Sequence, residues 1–284
     1  MGRMTNTGNI IGNTIGVILK RPFIIIFWGV VTLVTTVIGY LLPIFRIFFE
    51  LMTISGSNIF ESVMSFIQLV YGYLTNVRIV FIIAVALLLI LFSIAVISAI
   101  LLSGYLFKLN NAVNKKESQK GEFALGVRQY FNKICFMNFS LLSLGVIVLI
   151  VMAIASVPAL IITSALVGKG QDMLPQVLFV DVLTVFVLFF GLMFFRIYSL
   201  FWYPAVINNK EKPFKEARSI TNRYFWRIVL VFTIFDIAYI GFRMLFVNLD
   251  NNLLFLFLRW IFSTIFYAMF TTYIFAAFRK YSKK

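Results

Sequence analysis

Five ionisable side chains fall inside long apolar runs: Asp181, Arg196, Asp236, Arg243 and Arg259. A charge at membrane depth is costly, so such residues pair with one another or line a path for a charged substrate or a proton. Asp236 lies about 8 residues into its run, roughly 12 Å deep at helical rise. Arg243 follows seven residues later and so shares its face. By depth, Asp236 matches Arg196, and Asp181 matches Arg243 or Arg259. Two readings stay open: charge pairs that fix helix register, or a substrate path.

Other chemistry is sparse. The chain has no histidine and one cysteine, Cys135. It therefore lacks the commonest general base and metal ligand, and it cannot form an internal disulfide. HExxH, GxSxG, Walker and Cys/His patterns are absent from the sequence. No catalytic residue, metal site or cofactor is expected, and the chain does not read as an enzyme.

The elements that hold the five charges follow from composition. Of 284 residues, 62% are hydrophobic, and the mean hydropathy is +0.99. Soluble domains are about 45–50% apolar. The expectation is an all-α, polytopic membrane helix bundle forming a single integral membrane domain over residues 1–284. Six transmembrane helices are read at about 22–45, 77–107, 134–166, 177–207, 228–247 and 253–278, each close to or above the roughly 20 residues a bilayer requires. Pro158 is expected to kink the third. The aromatic stretch from Arg196 to Pro204 suits an interface. The small residues Ala95, Ala99 and Ser103 form a stripe suited to helix contact.

Net charge is +15, yet the basic residues are gathered between the apolar runs. The amino-terminal segment, the 108–133 loop, the 208–227 loop and the tail hold 3, 6, 6 and 4 Lys or Arg, whereas the other three gaps hold only Arg46, Arg78 and Lys169. That bias predicts a multi-pass protein of the cell membrane with both termini cytoplasmic. It argues against a nucleic-acid partner, which would need a basic soluble face.

Short amphipathic stretches, beginning at residues 8, 122 and 213, precede the odd-numbered runs and read as separate entry helices. Gly8, Gly12 and Gly16 would share one helical face, suiting either close helix packing or a loosely ordered interfacial segment. Residues 57–76, which precede the second run on the outer side, read as a separate amphipathic helix, lying in the outer interface or over the outer mouth of the bundle. Residues 213–227 form a third such stretch, with Phe214, Ala217, Ile220 or Thr221, and Tyr224 expected to face lipid. Arg21, Arg128, Lys133, Arg218, Arg223 and Arg227 are the expected contacts to lipid headgroups.

Phe23, Phe131 and Phe225 each follow a basic residue and open an apolar run. Tyr130-Phe131-Asn132-Lys133-Ile134 parallels Tyr224-Phe225-Trp226-Arg227-Ile228, and Asn110-Asn111 parallels Asn208-Asn209. This pattern suggests three helical-hairpin repeat units, 8–107, 122–207 and 213–278. The same basic and aromatic residues would also mark any inward-starting span.

The last lead-in stretch, with Pro204-Ala205-Val206-Ile207, then Ala217, Ser219, Arg223 and Phe225-Trp226-Arg227-Ile228, resembles a group of bacterial six-span proteins. That group includes the membrane domain of some glycerophosphodiester phosphodiesterases. The resemblance covers the architecture and about 25 residues of motif. It departs from the usual pattern in the Ala217-Arg218-Ser219 spacing, and Asn208-Asn209 replace the usual acidic residue. It implies a six-span bundle and carries no phosphodiesterase activity.

The function expected is a non-catalytic scaffold or accessory subunit of a membrane complex. The alternative is a transporter or lipid-handling protein for an anionic or amphipathic substrate. Expected partners are membrane lipids and another membrane protein or an ATP-binding-cassette component.

Overall fold

The computed structural model describes residues 5–41, 75–166, 174–208, 212–245 and 253–282. The expected outer helix at 57–76 lies outside these residues, as do Arg46, Lys169, Asn209 and the turn at 248–252. The described residues form seven helices: α1 Thr5–Lys20, α2 Phe23–Leu41, α3 Val77–Val113, α4 Glu122–Leu166, α5 Leu174–Ile207, α6 Pro213–Leu245 and α7 Leu253–Ser282. No strand occurs among them. Five are long and apolar enough to cross a membrane, and α1 with α2, bent by 86° between them, makes a sixth candidate.

Local chemistry explains the helix ends. Pro22 opens α2, where its missing N–H costs nothing, and Ile26 N donates to its carbonyl at 3.0 Å. Asn76 caps α3, its Oδ1 accepting from Arg78 N at 3.2 Å and Ile79 N at 3.4 Å. At the other end of α3, Lys116 N donates to Asn111 O and Lys115 N to Ala112 O, both at 3.0 Å. These paired bonds are a Schellman motif, which places the residue beyond the capping Asn114 in the left-handed region. That residue is Lys115, with φ of 60°.

By contacts the chain forms two compact units: Met1–Ile38 with Val96–Asn138 and Phe195–Lys284, and Gly39–Ala95 with Phe139–Phe194. In the first unit α7 is the central helix. Tyr273, Phe275, Ala277 and Phe278 are almost fully buried. Aromatic side chains link α6 to it: Phe232 and Phe235 lie 4.9 and 5.4 Å from Phe270, and Phe242 stacks on Phe262 at 3.6 Å. From α2, Trp28 stacks on Tyr267 at 5.2 Å and Thr32 bonds Thr264 at 2.8 Å. Trp260 Nε1 returns a bond to Gly29 O at 2.8 Å. In the second unit Phe92 meets Phe139 edge-on at 6.0 Å, and a Cβ placed on Gly191 would lie 3.3 Å from the Met152 methyl.

The small-residue stripe on α3 is buried, with Ala95, Ala99 and Ser103 all at 0% exposure. Two glycines complete this approach in the first unit. A Cβ on Gly126 would lie 2.9 Å from Ser103 O and 3.1 Å from Gly104 Cα, so α3 and α4 meet backbone to backbone.

Three expectations change. Residues 122–133 do not form a separate helix; they continue into the following span as α4, which runs through Pro158. The other two lead-ins do break from their spans: α1 from α2 by the 86° bend, and α6 at Tyr224 with φ −118° and ψ 16°. The 213–223 helix, second, turns much of its apolar face to protein. Ala217, Ile220 and Thr221 are buried and Tyr224 stacks on Tyr281 at 4.1 Å, whereas Phe214, 4.9 Å from Trp202, stays 46% exposed. Neighbouring helix and lipid are both apolar, so an apolar stripe does not choose between them. Third, of the two readings of the glycine stripe, close packing fails at Gly12 and Gly16, because a Cβ on either meets nothing within 4 Å. The buried stripe of α1 is instead Ile10, Thr14 and Ile18, and it packs on α7.

Candidate functional site

Two polar assemblies in the first unit merit description as sites. One is the intramembrane charge cluster. Arg196 on α5 and Asp236 on α6 form an ion pair in which Arg196 Nη1 lies 2.6 Å from each carboxylate oxygen. Aromatic rings flank the guanidinium: its central carbon lies 5.2 Å from the Phe232 ring centre and 4.7 Å from that of Phe270. A planar guanidinium suits both the carboxylate fork and ring faces. The two side chains remain 32% and 26% exposed.

The other three ionisable residues do not join this pair. Arg243 is exposed on α6, its guanidinium carbon 5.9 Å from the Tyr239 ring centre. Arg259 is half-buried on α7. Asp181 is half-buried on α5 and belongs to the second unit.

The second assembly is a basic cleft where the carboxy-terminal ends of α1, α3 and α7 come together. Its volume is about 850 Å³. Lys20 ends α1 and Arg21 follows it, Lys115 comes from the turn after α3, and Arg279 and Lys280 from α7; among the described residues no carboxylate lines it. Gly12 and Gly16 form an open wall. Two arginines are fixed by backbone carbonyls at the end of α3. Arg21 Nη2 donates to Lys116 O at 2.5 Å, and Arg279 Nη1 donates to Val113 O. Helix-end carbonyls lack intrahelical partners and carry partial negative charge, so cations there satisfy both needs. An arginine keeps further N–H donors after one such bond. Two unit charges 10 Å apart at an effective dielectric of about 20 repel by about 1.7 kcal/mol. Five cations around one cleft therefore favour an anion within it.

Beside these sites lies a small apolar cavity of about 180 Å³, bordered by Trp28, Tyr105, Tyr203 and Thr271. Its hydroxyls are engaged. Trp28 Nε1 donates to Tyr105 Oη at 2.9 Å and Thr271 Oγ1 at 3.0 Å. Tyr203 Oη donates to Asn138 Oδ1 at 2.9 Å, and Asn138 Nδ2 donates to Ser98 Oγ at 2.8 Å.

Of the residues expected at headgroups, only Arg21 lines the basic cleft. Arg128, Lys133, Arg218 and Arg223 are exposed, and Arg227 is half-buried. Lys133 lies over the Tyr130 ring at 5.9 Å and Arg223 over Tyr224 at 5.6 Å. Sequence reasoning assigned Lys20, Lys115, Arg279 and Lys280 only to topology. Counting charge by segment gives no sign that three segments converge. No group of three or more acids or cysteines among the described residues is arranged to hold a metal. No protein family, curated protein or solved structure matches the chain.

Proposed function

We propose that this chain is a six-span protein of the cell membrane, with both termini cytoplasmic, that acts without catalysis as a scaffold or accessory subunit of a membrane complex. The Arg196–Asp236 pair carries the reading. Its opposite charges are spent on each other at 2.6 Å between aromatic rings, as in a register lock and unlike an open path for ions. The distribution of burial supports it further. The most apolar stretch of α7 is 56% buried, against 6% in α4 and in α5. Those sparsely covered helices have ample apolar surface for lipid or for another membrane protein, such as an ATP-binding-cassette component.

Threefold repetition is part of this proposal. Asn110 and Asn208, aligned by the repeat, hydrogen-bond to each other at 3.4 Å, as equivalent positions around a pseudo-symmetry axis would. The kinship with the six-span membrane domain of glycerophosphodiester phosphodiesterases rests on the Pro204–Ile228 motif. A second reading, as a lipid-handling or transport protein, is favoured by the basic cleft.

Gentle detergent extraction from native membranes, followed by native electrophoresis and mass spectrometry of the band, tests the proposal. A partner in fixed stoichiometry is expected. Flux of an anion or lipid through proteoliposomes holding the purified chain alone, abolished by Asp236→Asn, would overturn the proposal in favour of transport.

A further inference from the structure

We infer that the basic cleft between α1, α3 and α7 binds a phosphate group, presented by a lipid headgroup or by a soluble phosphorylated solute. This goes beyond the scaffold reading and stands whether or not a protein partner exists.

Charge is the first support. Lys20, Arg21, Lys115, Arg279 and Lys280 line one concavity of about 850 Å³, with no acid among the described residues that line it. Such a volume falls within the roughly 300–1,000 Å³ of small-molecule sites. Phosphate is matched better than a lone carboxylate, because its several oxygens accept from guanidinium forks and lysine ammonium groups together.

Preorganisation is the second. Arg21 and Arg279 are held by Lys116 O and Val113 O, so less side-chain freedom is lost when an anion arrives.

Lys115 supplies the third. Its φ of 60° is a conformation where glycine is the ordinary choice. Strained non-glycine residues persist where the side chain is needed, and this one brings a cation to the cleft.

The shape of α1 is the fourth. Ile10, Thr14 and Ile18 are buried, while Ile11, Ile15 and Leu19 are 37%, 43% and 76% exposed. Gly12, Gly16 and Lys20 line the cleft between those two faces. A helix with one face on protein and an adjacent apolar face exposed suits the membrane interface. The cleft then lies at the level of lipid phosphates, while its open side admits a soluble phosphate.

The test uses the full chain in phosphatidylcholine nanodiscs, with and without phosphatidylglycerol, and glycerol 3-phosphate as the soluble probe. Native mass spectrometry and thermal shift read binding. Two variants leave the fold intact. Lys115→Gly removes a charge and relaxes the turn. Gly16→Phe fills the cleft from a position whose Cβ meets nothing within 4 Å.

Wild type is expected to retain phosphatidylglycerol or to bind glycerol 3-phosphate, each weakening with salt. Either variant should lower that affinity about tenfold, and Lys120→Gln, exposed and outside the cleft, should leave it unchanged. Binding of the lipid alone assigns a lipid headgroup; binding of glycerol 3-phosphate assigns a soluble solute. The inference is overturned if wild type binds neither probe, or if folded Lys115→Gly and Gly16→Phe both bind like wild type.

Discussion

Arg196 places one guanidinium nitrogen 2.6 Å from both carboxylate oxygens of Asp236, joining α5 to α6 across the flank of α7. Removing one partner of such a pair leaves a charge in apolar surroundings, which is far more costly than removing both. Arg196→Met and Asp236→Leu alone should each lower stability by about 2–4 kcal/mol, and the double variant should recover most of it. Arg196→Lys should also be destabilising, because an ammonium cannot reproduce the planar contact with Phe270. Unfolding by denaturing detergent titrated into mild micelles measures all four. Additive losses in the double variant would refute the register lock.

Much of the fold was legible because hydrophobic run length and basic punctuation are direct consequences of the bilayer. Of the stretches read as spans from Val77 onward, 77–107, 134–166, 177–207 and 253–278 fall within long helices, and 228–247 follows α6 as far as Leu245, where the described residues of that helix end. What periodicity could not decide was which of two similar faces meets protein. On α1 the glycine face suited either close packing or a loose interfacial segment, and the buried residues are Ile10, Thr14 and Ile18 on another face. On α6 the stripe of Ala217 and Ile220 looked lipid-facing and is buried instead. Lipid tails and neighbouring side chains are equally apolar, so sequence carries little contrast between them. The basic cleft was illegible for another reason. Arg21, Lys115 and Arg279 are distant in sequence, and only the packing of α1, α3 and α7 brings them together.

The α3–α4 crossing makes a prediction about two glycines that differ in what surrounds them. A Cβ on Gly126 would lie 2.7 Å from Phe107 Cβ, 2.9 Å from Ser103 O and 3.1 Å from Gly104 Cα. Two of these neighbours are backbone and cannot yield without separating the helices. The three atoms nearest a Cβ on Gly104 all belong instead to the Phe123 ring, the closest at 2.6 Å, and Phe123 is 40% exposed. Gly126→Ala should therefore cost about 3 kcal/mol or more, with no rescue from truncating Phe107. Gly104→Ala should cost less, and Phe123→Ala should rescue it. Thermal unfolding of the singles and the Gly104→Ala/Phe123→Ala pair provides the check. Equal tolerance of Ala at both glycines would contradict the backbone contact.

The Trp28–Tyr105–Thr271 triangle should behave cooperatively. Trp28 Nε1 shares its proton between Tyr105 Oη at 2.9 Å and Thr271 Oγ1 at 3.0 Å, and those two oxygens lie 3.1 Å apart. Tyr105→Phe removes one acceptor and leaves the other, so the indole stays satisfied and the cost should be about 1 kcal/mol. Its ring contacts survive, including the stack on Phe27 at 4.0 Å. Thr271→Val is the mirror case. Removing both hydroxyls leaves the indole N–H without an acceptor in an apolar setting, a penalty neither single variant incurs. The double variant should therefore lose about 1–2 kcal/mol more than the sum of the singles. A double-mutant cycle by reversible unfolding measures that excess. An additive result would mean that water or lipid headgroups reach Trp28, and the triangle would no longer count as a tie between α2, α3 and α7.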